Sequence, residues 1–233
     1  MRTKYHDQWI KEFHRYVGDN VAHILKNTFL KPIHITNFRF LCGITASVLI
    51  AFNLDYKFQI IAAILIYLFS MLDAADGSLA RIKNISSLSG GWIDRQFDGL
   101  GFFFIFLGIS IQFTQDKPDG VLWSILSMSV LILALLLKVT NISYRNKYRP
   151  AFESKKLNKK EKDFEKLKKK SFKIILKDQI DHDFHTISAI IIFGLLINEL
   201  KLLILLTFIY LLLWWFKKHF SIAKKASLYD SSP

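Results

Sequence analysis

From Phe58 to Leu72, and again from Val121 to Leu137, the chain carries no charged side chain. Stretches like these approach the roughly 20 apolar residues that a helix needs to cross a hydrocarbon core about 30 Å thick. Six of them follow in order, at 35–53, 58–80, 93–113, 121–140, 184–197 and 202–216. The second must continue as helix through about Ala80 to complete its crossing. The last two, parted by Asn198-Glu-Leu-Lys201, would form a helix of about 50 Å if continuous, so a tight hairpin of two short spans is the better reading. The chain thus reads as an all-α integral membrane protein, a single membrane domain over residues 1–233.

Ahead of the spans, Tyr5, Trp9, Phe13, Val17, Val21 and Leu25 recur at spacings of four, with Lys11, Arg15 and Lys26 among them. That pattern predicts an amphipathic helix within residues 1–31, lying on the membrane surface with its aromatic residues inward. Pro32 is expected to break it. These first residues have no apolar core, so no cleavable signal peptide is expected. Residues 141–182 read as a basic loop and 217–233 as a tail. The single cysteine, Cys42, lies in an apolar run and leaves no internal disulfide to form.

The net charge is +13, from 32 Lys and Arg against 19 Asp and Glu. Nucleic acid is one partner for such an excess, but its distribution points elsewhere. Of those 32 residues, only Lys57, Lys117 and Lys201 fall in the connections after spans one, three and five. The rest gather at the other ends, as loops facing anionic lipid on the cytoplasmic side do. Both termini, the basic loop and the junction of spans two and three are therefore expected to face the cytoplasm, with no nucleic-acid partner.

Four acids stand at that junction. Asp73 and Asp76 are spaced i,i+3, and Asp94 and Asp98 i,i+4, so on helices each pair shares a face. Gly77 and Ala80 lie beside Asp73 and leave the surface nearly bare. An ionised Asp inside a bilayer costs about 2.5–3.5 kcal/mol, which makes intramembrane acids functional by default. Four together repel unless a cation joins them, and hard divalent ions with oxygen ligands and substrate phosphates are suited to do so. Two ions roughly 3.5–4 Å apart would make a phosphoryl-transfer clamp. The plainer reading is that the acids cap helix ends and pair with Arg81, Lys83 and Arg95. A divalent-cation transporter is a further alternative, but the deep stretches 58–68 and 102–111 hold almost no polar residue to line a path.

The segment fits Asp-x2-Asp-Gly-x2-Ala-Arg-x8-Gly-x3-Asp-x3-Asp at every fixed position, with Gly90 as its second glycine. In this it resembles the CDP-alcohol phosphotransferase family of integral membrane enzymes. The resemblance implies transfer of a substituted phosphate from a CDP-linked donor, such as CDP-diacylglycerol, to an alcohol, with release of CMP. It implies that Asp73, Asp76, Asp94 and Asp98 hold two divalent cations, Mg2+ or Mn2+, and that Asp98 is also the general base. Asp73, Gly77, Ala80 and Arg81 would bind the donor, and a homodimer is expected.

A weaker likeness, Pro-Asn-x-Leu/Ile-Thr-x-x-Arg in many members, is met by Pro32-Ile-His-Ile-Thr36-Asn-Phe-Arg39. Ile33 stands in place of the Asn, so a polar role there is absent or moved to His34 or Asn37. Pro32 and Thr36 read most simply as the start of a helix. For the acceptor, Arg95, Lys138, Arg145 and Arg149 are the candidate cations, which a phosphorylated polyol would need. His185, at the start of span five, is a further candidate to face the pocket, although a lone interfacial histidine is more often structural.

Overall fold

The computed structural model describes residues 9–53, 55–115, 118–143 and 184–230, which form seven helices and, among the described residues, no strand. They are α1 (Trp9–Leu25), α2 (Pro32–Phe52), α3 (Tyr56–Ile82), α4 (Leu88–Thr114), α5 (Gly120–Ser143), α6 (Phe184–Leu196) and α7 (Leu200–Asp230). Helices α2, α3, α4, α5 and α7 are each long and apolar enough to cross a membrane. Helix α6 is apolar but has 13 residues, about 20 Å at 1.5 Å per residue. The all-α membrane architecture is the expected one, with six apolar helices following a surface helix.

Packing places α2 at the centre of the acidic end. It lies against both α3 and α4, while α3 also packs on α1 and α6, α4 on α5, and α7 on α5 and α6. The apolar core between them is built on Ile50, Ile66, Phe69, Phe106, Ile109, Leu137, Ile191 and Leu195. Phe69 of α3 meets Phe102 of α4 edge-on, centroids 5.4 Å apart. At the end away from the acids, Asn53 closes α2 in the left-handed region at φ 44°, a conformation Asn tolerates well. Its Oδ1 accepts from Gln59 Nε2 at 3.1 Å and Gln112 Nε2 at 3.0 Å, tying three helices together. The α6–α7 connection is the expected tight hairpin, closed by Asn198 at φ 55° and by Glu199 N donating to the Gly194 carbonyl at 3.0 Å.

Four features differ from the sequence expectation, three of them helix boundaries. The loop expected over 82–92 is confined to residues 83–87, and Gly90 and Gly91 belong to the first turn of α4. Ser87 explains this: its Oγ accepts from Gly90 N at 3.0 Å and caps the helix five residues before Ile93. Pro32 does not break α1, which has ended at Leu25; it opens α2, where its missing N–H is not needed. Residues 217–230, read as a tail, continue α7 as helix.

The fourth difference is the docking of α1. Its buried face is His14, Gly18 and Ala22, pressed on α3, whereas Phe13 and Tyr16 are exposed. A Cβ on Gly18 would lie 2.7 Å from Ala74 Cβ and 2.9 Å from backbone atoms of Ala74 and Ala75. Small residues face α3 because the two backbones run this close; a Phe on that face would hold them apart. Tyr5 lies outside the described residues.

Candidate active site

Helix α3 delivers Asp73 and Asp76 from its last third, and the first turns of α4 deliver Asp94 and Asp98. Asp76 is buried and the other three are partly so. One carboxylate oxygen from each of Asp73, Asp76 and Asp94 lies within 4.8 Å of the others. Asp98 lies outside that trio, on the side of a small cavity of about 40 Å³.

The cation that pairs with the acids is Arg39 of α2, with no solvent exposure at all. Its Nη1 lies 2.9 Å from Asp73 Oδ1 and 2.7 Å from Asp98 Oδ1. Its Nη2 bonds the Asp94 carboxylate and donates to the Asp94 carbonyl at 3.3 Å. Nε sits 3.5 Å from Asp76 Oδ2, within ion-pair range but outside hydrogen-bond geometry, and so remains a buried N–H without a hydrogen-bond partner. Asp76 Oδ2 instead accepts from Thr36 Oγ1 at 2.8 Å, one turn before Arg39. The guanidinium packs 5.5 Å above the Phe69 ring, which floors the site.

The cations that the plainer reading would pair with the acids are used elsewhere. Arg81 is exposed, and its Nη2 donates to Ser78 Oγ at 2.7 Å; that hydroxyl in turn donates to Asp19 of α1. Lys83 Nζ donates to the carbonyls of Thr28 and Leu30, both at 2.7 Å, and fastens the α1–α2 connection. Arg95 is exposed and turns along its own helix to the Gly91 carbonyl at 2.9 Å. Four carboxylates against Arg39 and Lys138 leave two formal negative charges at the cluster. The donor set is oxygen only, the oxygens are close enough to share an ion, and the excess charge calls for cations. These residues fit a divalent metal such as Mg2+ or Mn2+, with Asp73, Asp76 and Asp94 as the group positioned to hold it.

The cavity beside Asp98 is lined by Asp73, Ser70, Phe69, Phe102, Arg39, Lys138 and His185. Of the acceptor candidates, Lys138 is therefore brought to the acids, Arg95 is not, and Arg145 and Arg149 lie outside the described residues. Asn37 and His34 are exposed; His34 Nδ1 accepts from Lys31 N at 3.3 Å and helps start α2. Gly77 and Ala80 flank the acids as expected. A Cβ on Gly77 would meet nothing nearer than Arg81 Nη1, at 3.6 Å, so the protein's own packing does not require a glycine there.

His185 links the site to the surface helix. Its Nε2 is 3.6 Å from Asp73 Oδ2, and its Nδ1 is 3.2 Å from Nδ1 of His14, which is 5% exposed. Burial, and secondarily the charge of His185, lower the His14 pKa from 6.5 to about 4. Between those values the unfolded chain binds more protons than the folded one, so stability rises with pH and is fully present above about 6.5. The His14 contribution to the melting temperature is expected to grow from pH 4.5 to 7, so the difference in melting temperature between the detergent-solubilised protein and its His14→Gln variant should change steadily over that range. A difference that stays constant would remove His14 as its source.

Arg39 and Thr36 are the site residues that sequence reasoning passed over, taking the segment as a helix start. The signal was present: an arginine well inside an apolar helix demands a partner, and Thr36 lies i−3 from it, on the same face.

The family described as CDP-alcohol phosphatidyltransferase matches residues 29–222, from just before α2 into α7. No individual curated protein matches alongside it. The matched region holds the four acids, Arg39 and the cavity, and leaves out only the surface helix and the end of α7. A match of that extent makes this chain a member of the CDP-alcohol phosphatidyltransferase family, membrane transferases that pass a phosphate-linked group from a CDP-alcohol to an alcohol acceptor.

Proposed function

We propose that the protein transfers a substituted phosphate from a CDP-linked lipid, of the CDP-diacylglycerol kind, to a small hydrophilic alcohol in polar-lipid synthesis. The observation that carries this reading is the arrangement of the acids: Asp73, Asp76 and Asp94 converge on one point, and Asp98, outside that trio, lines the adjoining cavity with Asp73 and Lys138. Asp98 takes the proton of the acceptor hydroxyl, as a carboxylate within hydrogen-bond reach can. The acceptor oxygen then bonds to the donor phosphorus distal to cytidine, and the bond from that phosphorus to the bridging oxygen breaks, so CMP leaves. Asp73, Asp76, Asp94 and Asp98 would hold Mg2+ or Mn2+, which when bound would supply charge stabilisation at the transferring phosphoryl group. Gly77 and Ala80 give the nucleotide a close approach to α3, and Arg81, exposed beside them, turns to its diphosphate. Lys138, with His185 opposite, favours an anionic acceptor such as a phosphorylated polyol. The site opens to the cytoplasm on the charge distribution, and a homodimer belongs to the same reading by family likeness.

A CMP-release assay decides it. Purified protein with Mg2+ or Mn2+ and CDP-diacylglycerol is offered glycerol phosphate, inositol phosphate, inositol, serine, choline or ethanolamine. Acceptor-dependent CMP is expected, strongest with a phosphorylated polyol, and lost on adding EDTA. Silence across the whole panel would overturn the reading.

A further inference from the structure

A fully buried arginine is unusual enough to need a reason, and Arg39 is held by all four acids at once. Asp73 and Asp98 share its Nη1, at 2.9 and 2.7 Å, Asp94 takes Nη2, and Asp76 lies 3.5 Å from Nε. The acids come from α3 and α4, and Arg39 from α2, the helix packed on both. A guanidinium suits this place because its planar fork reaches several carboxylates at once, where an ammonium is a single point charge. Its Nε has no hydrogen-bond partner: Asp76 Oδ2 is 3.5 Å away, outside hydrogen-bond geometry, and accepts from Thr36 Oγ1. The grip is therefore incomplete on the Asp76 side.

We infer that Arg39 is a resident counter-cation: it gathers the four aspartates while no metal is bound and competes with the divalent ion for the same oxygens. The inference rests on the metal reading of the cluster. The reasoning is electrostatic. Like charges brought this close repel at a few ångströms, more strongly in a poorly solvated site than in water. One positive charge on the middle helix lets α3 and α4 close without an ion. The same charge then opposes an incoming divalent cation, and the oxygens it holds must be released or shared. Arg39 is a positioning residue in this account; it acts through the aspartates, and metal affinity is the quantity it sets.

The test is direct metal binding together with thermal stability, both on the full-length protein in detergent. Mn2+ is titrated by electron paramagnetic resonance, and melting temperature is followed with and without Mn2+. In Arg39→Gln the metal-free melting temperature is expected to fall. Its Mn2+ affinity is expected to rise about tenfold, an order of magnitude set by removing one charge next to the ion, and the Mn2+-induced stabilisation to exceed that of the unsubstituted protein, as linkage requires. A merely structural arginine would lower both melting temperatures alike and leave affinity unchanged or weaker, and that result overturns the inference. Arg39→Lys covers the case in which the glutamine variant does not fold. It keeps the charge but loses the fork, so its Mn2+ affinity should exceed that of the unsubstituted protein by a smaller factor; equal or weaker binding again overturns the inference. If the unsubstituted protein itself binds no Mn2+, the metal reading has failed, and the competition with it.

Discussion

Asp98→Asn is expected to cut acceptor-dependent CMP release by about two to four orders of magnitude, the usual contribution of a positioned general base. The substitution keeps size and shape, and its amide oxygen can still accept from Arg39 Nη1, which bonds Asp98 at 2.7 Å. What it loses is the capacity to take a proton from the acceptor hydroxyl, together with one charged oxygen for the metal. Binding of the CDP-linked donor should stay within a few-fold, because Asp98 lies on the cavity side and outside the trio of acids. Stability gives a second readout. Four carboxylates face two cations, Arg39 and Lys138, so removing a negative charge relieves repulsion, and the melting temperature should not fall. Low activity in a protein that melts early would point to misfolding; low activity at an undiminished melting temperature is the catalytic result. Turnover within tenfold of the original would remove Asp98 as the base.

How far the sequence could be read depended on how local each signal was. The spans were legible because membrane crossing is a property of consecutive residues: the uncharged run from Phe58 to Leu72 sits wholly within α3. The acidic motif was legible for the same reason, since Asp73 to Asp98 lie on two consecutive helices. The helix start at Leu88 was hidden because Gly90 and Gly91 signal a loop, and only the Ser87 cap overrides them. Arg39 was hidden more deeply. Its partners lie 34 to 59 positions away along the chain, so no spacing pattern announces them. The pairs of the plainer reading, with Arg81, Lys83 and Arg95, join near neighbours in sequence, and each of these cations is held by other groups. The docking of α1 failed for a related reason. Period-four aromatics say which face is apolar, but Gly18 and Ala22 decide which face can approach α3. Close approach is a fact about two backbones, and one segment alone does not contain it.

Two glycines let the donor site be separated from the fold, and they are expected to behave oppositely. Gly77→Leu puts a side chain where the nearest protein atom to its Cβ is Arg81 Nη1, at 3.6 Å, so folding should tolerate it. Leucine is a better helix former than glycine, which is about 0.8–1 kcal/mol worse than alanine inside a helix, and the melting temperature should hold or rise. The same side chain would stand where the nucleotide is proposed to approach α3. Intruding bulk of this kind costs about 1–3 kcal/mol, which predicts a donor KM raised roughly fivefold to more than a hundredfold. Gly18→Ala adds one methyl group, yet that carbon meets Ala74 Cβ at 2.7 Å and the α3 backbone at 2.9 Å. Backbone atoms inside a packed helix cannot rotate away, so α1 must lift from α3. The melting temperature should drop even though alanine is the better helix former. Because α1 carries His14 and Asp19, which bond His185 and Ser78, the loss should reach activity through those contacts as well as through stability. Kinetics of the two variants at a temperature where both are folded would show whether these surfaces are separate. A Gly77→Leu protein with an unchanged donor KM would mean that the bare strip beside the acids is not where the nucleotide binds.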